Sequence, residues 1–447
     1  MNQYSFRKFA IALICILAWI TACQGGTSIP TPTVTPSVTS TTSSSTPTPL
    51  PSPTEVIATP EPTPTKLPDV QGDISLWVGW SQAELTVLYP HLAAFQERFP
   101  DIRISVVYFP PDELLQRFQE AAEAGEEPTM IIGPSDWIDL FTKDGLIRDV
   151  SGRITEDFMD SILPIAWEGV AINQSIFGLP FSLEGIVLFR NQNVIPETPE
   201  SLDDVVRLTR EIEGTETMGI HLDAGFLYSG AFLQACEGEL LGSDGELALT
   251  VTAGECWLEI LQQWRLAGPV TLNTDVDLET FLSGQSGWLV DGTWNSVSIM
   301  EALGADQIAI DPWPIYSQTE MPLAGYAWSR NIFFGSSAED QDFDAAWILA
   351  RYLLTEDVQK DFVESTSGQH VPVLKSVTTD QRWLQELMAA MATNIVLPLY
   401  PEFSIFTEHL EVAAYDVARR GYNPYFVIRW EYLNIEKALR YARSAEE

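Results

Sequence analysis

The chain has 447 residues, 45% of them hydrophobic, with 14 Trp, 24 Lys or Arg and 62 Asp or Glu. So much apolar material excludes global disorder, and the length suits two or three packed units rather than one small domain. Without the first 66 residues, which hold three bases and two acids, 21 bases face 60 acids, a formal charge of −39. A surface that negative repels phosphate backbones, so nucleic acid is not an expected partner, and it disfavours adhesion to anionic lipid through a basic face.

Arg7-Lys8 precede an apolar run of twelve residues, Phe9 to Ile20, that ends at Ile20-Thr21-Ala22-Cys23. A basic n-region, a short apolar stretch and small residues at a cut point predict a signal peptide over residues 1–22. As a helix the run spans only ~18 Å against a hydrocarbon core of ~30 Å, so it is too short to be a membrane span. The Ile-Thr-Ala-Cys end resembles a bacterial lipobox. That resemblance implies cleavage before Cys23, acylation of Cys23 and anchorage on the extracytoplasmic face of a bacterial cell membrane. An ordinary signal peptide with an incidental Cys is the competing reading. Residues 23–70, with runs such as TPTVTPSVTSTTSSSTPTPLPSPTE, predict an extended tether, since proline removes donors and nothing apolar recurs.

From Asp73 onward β-rich runs alternate with helical periods. Ile74–Gly79 reads as a strand, Leu85–Phe99 as a helix with Leu88, Leu92, Phe95 and Phe99 on one face, and Arg103–Phe109 as the next strand. Leu114, Phe118 and Ala122 mark a second helix, and Met130–Gly133 a third strand, the signature of a doubly wound α/β layer. The pattern restarts after Pro180 with the strand Ile186–Arg190, the helix Leu202–Glu213, the strand Met218–His221 and helices near Phe226–Ala235 and Thr252–Arg265. The strand Trp288–Gly292, the helix Trp294–Leu303, the strands Ile308–Ile310 and Trp328–Gly335, and the helix Phe343–Leu354 follow. The tail from Gln381 reads mostly helical. Two α/β halves with more than one crossing between them predict a cleft at the carboxyl ends of the strands.

Four segments in order resemble the family 1 extracellular solute-binding proteins, the maltose-binding relatives of ABC importers: PTMIIGPSDWIDLFTKDGLIRDVS, FGLPFSLEGIVLFRNQNVIPETPESLDDVVRLTREI, FLSGQSGWLVDGTWNSVSI and AAWILARYLLTEDVQKDFVESTSGQHVPV. The resemblance implies a type II periplasmic-binding-protein-like fold of two lobes, residues 71–183 plus 325–371 and 184–324 plus 372–447, joined by crossing hinge strands. It also implies a sugar captured between the lobes by a monomer, delivery to permease subunits, and no enzymatic activity. The sequence departs from the family pattern at Phe189-Arg190-Asn191, where Tyr-Asn is usual, and in the pair Cys236 and Cys256. After Cys15 leaves with the signal and Cys23 takes lipid, that pair forms either a disulfide closing a ~20-residue loop, worth about 3 kcal/mol, or two buried thiols. Four scattered His without HExxH or CxxC spacing give no reason to expect a metal, and no other cofactor is expected.

A carbohydrate offers apolar C–H faces and a rim of hydroxyls, so its site needs aromatic plates edged by carboxylates, amides and guanidinium groups. Candidates are Trp80, Ser81 and Gln82 after the first strand, Asp136 and Trp137 after the third, and Glu184 beside the hinge. Asp223 and Tyr228, Trp294 in the G-x-W element, Trp328 and Arg330 on the returning strand, and Phe403 and Phe406 near the C-terminus complete the set. Each has a bland alternative: core packing for the rings, a helix cap for Asp136, a salt bridge for Glu184. A surface glycoside hydrolase using Asp136 and Glu184, or a polysaccharide-binding or sensor module without transport, are the competing functions.

Overall fold

The computed structural model describes residues 70–446 apart from Glu213 and Thr215. The expected signal peptide, Cys23 and nearly all of the tether therefore lie outside the described residues.

Ten strands form one mixed sheet: β1 (Gly72–Val78), β2 (Ile102–Tyr108), β3 (Met130–Pro134), β4 (Gly178–Asn191), β5 (Met218–Ile220), β6 (Ser286–Gly292), β7 (Ile308–Asp311), β8 (Tyr326–Phe334), β9 (Val371–Pro372) and β10 (Ile395–Val396). Its main path runs β2–β1–β3–β8–β4–β6–β5. Strand β1 is parallel to β2 and β3, a pairing that needs a crossover each time. The helices Gln82–Arg98 and Pro111–Ala124 supply the crossovers. The first starts on a capping box between Ser81 and Glu84, buries Leu85, Leu88, Leu92 and Phe95, and stops before Pro100, which disfavours helical geometry at Phe99.

Strand β4 holds the molecule together. All fourteen of its residues are buried. Gly178–Gly185 pairs antiparallel with β8, and Ile186–Arg190 pairs antiparallel with β6, so the strand changes partner between Gly185 and Ile186. A Cβ at Gly185 would stand 2.6 Å from the Tyr326 carbonyl oxygen and 3.0 Å from Ala327 Cα, so only glycine allows β8 this close. It also pairs antiparallel with β9 at Ser182–Leu183 and with β7 at Leu188–Asn191. Sequence reading found only Ile186–Arg190, because Pro180 argues against a strand. The register with β8 jumps from Ser182 to Pro180, so Phe181 is the extra residue of a bulge and the proline is accommodated beside it.

Two large apolar clusters fill the molecule, and β4 serves both. Phe181, Leu183, Val187 and Phe189 belong to the one built on β1 and β3, while Ile186 and Leu188 join the one around Trp257, Trp264 and Trp288. Past the partner switch, the period-two alternation of the strand divides successive side chains between them. Cys236 ends a 3-10 turn (Gly230–Cys236) and is bonded to Cys256 in the helix Val251–Trp264, with Cα atoms 5.9 Å apart. The tail supplies the helices Arg382–Met391, Phe403–Ala418 and Pro424–Glu446. Among the described residues no helix is long and apolar enough to cross a membrane.

Candidate functional site

Alternation along β8 puts Tyr326, Trp328 and Arg330 on one face, a row of ~13 Å, while Ala327, Ser329 and Asn331 face the interior. Trp328 lies opposite Glu184 of β4. The Glu184 carboxylate accepts from Trp328 Nε1 at 3.3 Å and from Arg330 Nε at 2.8 Å. Burial pulls the Arg330 pKa down, but the charges of Glu184, Glu84 and Asp136 outweigh it and raise it. Among the described residues the terminal nitrogens of Arg330 donate no hydrogen bond, and its side chain is 34% exposed. Two charged donor groups thus remain free beside an indole.

Trp294 completes this wall. Strand β6 ends at Gly292 and turns through a 3-10 segment (Thr293–Asn295) into the helix Ser296–Leu303. The Trp294 ring folds over Gly292, leaving no room there for a Cβ. It faces Trp328, with centroids 5.5 Å apart and planes at 36°. Its carbonyl accepts from Gln369 Nε2 at 3.1 Å, which ties the turn to the segment leading into β9. Tyr228 lies close enough to Asp291 of β6 for that carboxylate, with Asp223, Asp277 and Asp275, to add to the effect of burial and raise the phenol pKa.

Asp136 stands in the equivalent turn after β3, exposed to solvent but in a crowded recess that raises its pKa while the Arg330 charge opposes the rise. Glu84 accepts from His370 Nε2 at 2.8 Å, and His370 Nδ1 meets Ser182 Oγ at 3.0 Å. Burial would raise Glu84, but the hydrogen bonds from His370 and Ser81 prevail and hold it at about 2.

At the Tyr326 end of the row a cavity of about 520 Å³ opens, lined by Glu168, Leu233, Gln234, Tyr326, Leu397 and Tyr400 among others. Gln234 Oε1 is buried without a hydrogen-bond partner, and burial raises the pKa of Glu168. Sequence reading missed Glu168, Gln234 and Tyr400. They come from three distant segments, and only the Glu168 carboxylate beside an apolar helix carried any signal. Phe403 lies half-buried here against Phe226, Tyr326 and Tyr400 at 5.7, 6.1 and 6.4 Å.

Several expectations require correction. Trp80 is 5% exposed and packs on Phe181, Phe362 and His370, so its ring is core and not a plate. Ser81 accepts from the Glu84 amide as a helix cap, whereas Gln82, the first residue of that helix, keeps an exposed side chain and stays a candidate. The Asp223 carboxylate accepts from the amides of Gly225, Asn273 and Thr274 at 2.8, 2.9 and 2.8 Å, so it pins two loops and has little left for a solute. Phe406 is fully buried. Trp137 folds over Gly133 and packs edge-on to Phe141 at 5.7 Å, turned toward the core. Arg190, the departure in the family pattern, is buried on Asp311 and the carbonyls of Ile195 and Pro196. Among the described residues no three His, Cys, Asp or Glu side chains converge as a metal site.

Comparison with known proteins agrees with this architecture. The maltotriose-binding protein of Pyrococcus abyssi is 26% identical over 319 residues, which cover 69% of this chain and 68% of that protein. The galactooligosaccharide-binding protein of Bacillus subtilis is 21% identical over 324 residues, 68% and 73% of the two chains. A solute-binding protein of Staphylococcus aureus, solved with maltose, superposes with a TM-score of 0.72 at 17% identity, covering 85% of this chain and all of that one, and shares the two-lobed type II fold. The family model for bacterial extracellular solute-binding proteins matches residues 91–391, and the chain belongs to that family.

Proposed function

We propose that this protein captures a neutral oligosaccharide in the cleft along β8 and presents it to the permease of an ABC importer. The observation that carries the reading is Trp328 and Arg330 side by side on β8 with Trp294 against them: two tilted indoles for the C–H faces of a sugar, and unspent guanidinium donors for its hydroxyls. The sugars of the relatives, maltotriose, galactooligosaccharide and maltose, support the same class of solute. Members of this family are receptors rather than enzymes, so the carboxylates are read as hydrogen-bond acceptors.

In this reading the lobes are residues 71–183 plus 325–371 and 184–324 plus 372–447. They turn about the paired segments Phe181–Gly185, Tyr326–Trp328 and Gln369–Val373, and the solute favours the closed form because only there does it touch both lobes. Within the cleft, Glu184, Trp294, Trp328 and Arg330 form the grip, and Asp136, Tyr228 and Phe403 the margins. The protein works as a monomer held at the extracytoplasmic face of the cell membrane by acylated Cys23 and the tether after it.

A thermal-shift screen of the purified protein against maltotriose and other mono- and oligosaccharides tests the proposal. At a hundred times its Kd a ligand adds about 2.7 kcal/mol to the folded state. At least one neutral sugar raises the melting temperature, and Trp294→Ala removes the rise. A full sugar panel without effect, beside a large shift from a polyamine, peptide or anion, overturns the substrate class.

A further inference from the structure

The last helix, Pro424–Glu446, runs against the composition of the rest of the chain. The helix holds four bases (Arg429, Lys437, Arg440 and Arg443) and three acids, with Arg419 and Arg420 just before it, whereas the whole sequence holds 24 bases and 62 acids. The inner face of the helix is ordinary: Ile428, Ile435 and Leu439 are buried, and buried Glu431 is bound to His409 at 2.9 Å. The outer face is not. Phe426, Trp430, Leu433 and Tyr441 are 71%, 66%, 52% and 78% exposed, at spacings of four, three and eight that place them on one stripe. Lys437 and Arg440 continue the same stripe, and Arg429 flanks it.

The charges show what would cover this face. Arg440 is paired with Glu436 at 3.1 Å and Arg420 with Asp416 at 2.6 Å. Arg419, Arg429 and Lys437 make no ion pair with another described residue, and Arg429 donates only to the Tyr425 hydroxyl at 3.2 Å. A recess of about 380 Å³ between Tyr422 and Trp430 opens onto the same surface. Large rings with polar edges, a leucine and unpaired bases along one helical face form the pattern of a helix lying in the head-group region of a bilayer, rings inward and bases on the phosphates. A sugar site gathers its donors around one plate, whereas here rings and bases follow one another along the whole helix, and although the body of the chain is acidic, a basic stripe laid against the lipid turns that charge away from it.

We infer that the outer face of the C-terminal helix is a docking surface for an anionic phospholipid membrane, engaged by Phe426, Trp430 and Leu433 with Arg429 and Lys437. The stripe from Phe426 to Tyr441 is ~22 Å long, so the helix lies along the surface. It orients the protein, fixing which side of a negatively charged body faces the lipid. The inference is independent of the solute reading.

The test is co-sedimentation of the full chain, carrying Cys23→Ala so that no acyl anchor contributes, with vesicles of equal phosphatidylglycerol and phosphatidylcholine and with vesicles of phosphatidylcholine alone. The expected result is binding to the anionic vesicles that falls as salt rises. Phe426→Ala with Trp430→Ala, and separately Arg429→Glu with Lys437→Glu, each lower partitioning about tenfold without changing the melting temperature. Both pairs lie on an exposed face, so folding is retained, and circular dichroism verifies it. Partitioning equal in both variants and the parent means another segment binds lipid and overturns the inference. So does a variant whose change is loss of self-association by light scattering or loss of polysaccharide retention while vesicle binding persists.

Discussion

Two arginine–carboxylate pairs sit on neighbouring parts of the sheet and do different work. Arg190 and Asp311 are 4% and 2% exposed, and the guanidinium donates to both Asp311 oxygens, two carbonyls and the Thr198 hydroxyl at 2.8 Å. Trp288 Nε1 adds a further bond to Asp311 at 3.1 Å. Arg330 gives Glu184 one nitrogen and keeps the rest. The lesson lies in the remainder. A pair whose donors are all spent inside the protein braces a fold, whereas one that holds donors in reserve beside exposed rings is equipped to meet something from outside.

The largest expected effect breaks the first pair. Arg190→Met strands Asp311, which burial already pushes up to about 6 despite the opposing Arg190 charge, and should cost about 3–5 kcal/mol in urea unfolding. Arg330→Gln leaves Glu184 in contact with Trp328 and near solvent, and should cost about 1–2 kcal/mol while removing the melting shift caused by sugar. Equal costs for the two substitutions would dissolve the distinction.

A second effect belongs to the acids around Tyr228. Burial raises Asp277 to about 7 and Asp291 to about 6, with neighbouring carboxylates adding to it. Between pH ~4 and these values the folded state holds more protons than the unfolded chain, so stability declines as pH rises from ~4 through ~7. Glu84 acts oppositely. Held at about 2, it withdraws its contribution as pH falls from 4.5 toward 2. The melting temperature should therefore peak at mildly acidic pH, and Asp277→Asn should flatten the decline toward neutral pH. A melting temperature that rises steadily from pH 5 to pH 8 would contradict this. The smallest effect is Ser81→Ala: loss of the cap should cost about 1 kcal/mol and leave sugar affinity alone.

Much of the strand and helix order was legible in sequence because the two periodicities, 2.0 and 3.6, report on burial directly. Facing was not. Trp80, Trp137 and Trp294 all follow the carboxyl end of a strand, and nothing local says that the first packs on Phe362, the second on Phe141 and the third against Trp328. Asp223 carries the sugar-site signature of an acid before aromatics, yet three backbone amides from two loops consume it. Glu168, Gln234 and Tyr400 meet only through tertiary convergence. The basic, aromatic last helix was averaged away by a net charge of −38.

Strand β4 also bears on how the chain can be divided. Past the proposed lobe boundary at Leu183–Glu184, the adjacent residues Val187 and Leu188 still root in different apolar clusters, so a cut at that boundary frees neither half. Excising either half would strip its neighbour of a central rung and bare an unzipped edge. Grafting one half onto another scaffold must therefore carry a duplicate of the strand, whereas exchanging the turn after β6, where Trp294 stands, changes what the frame grips without touching the strand.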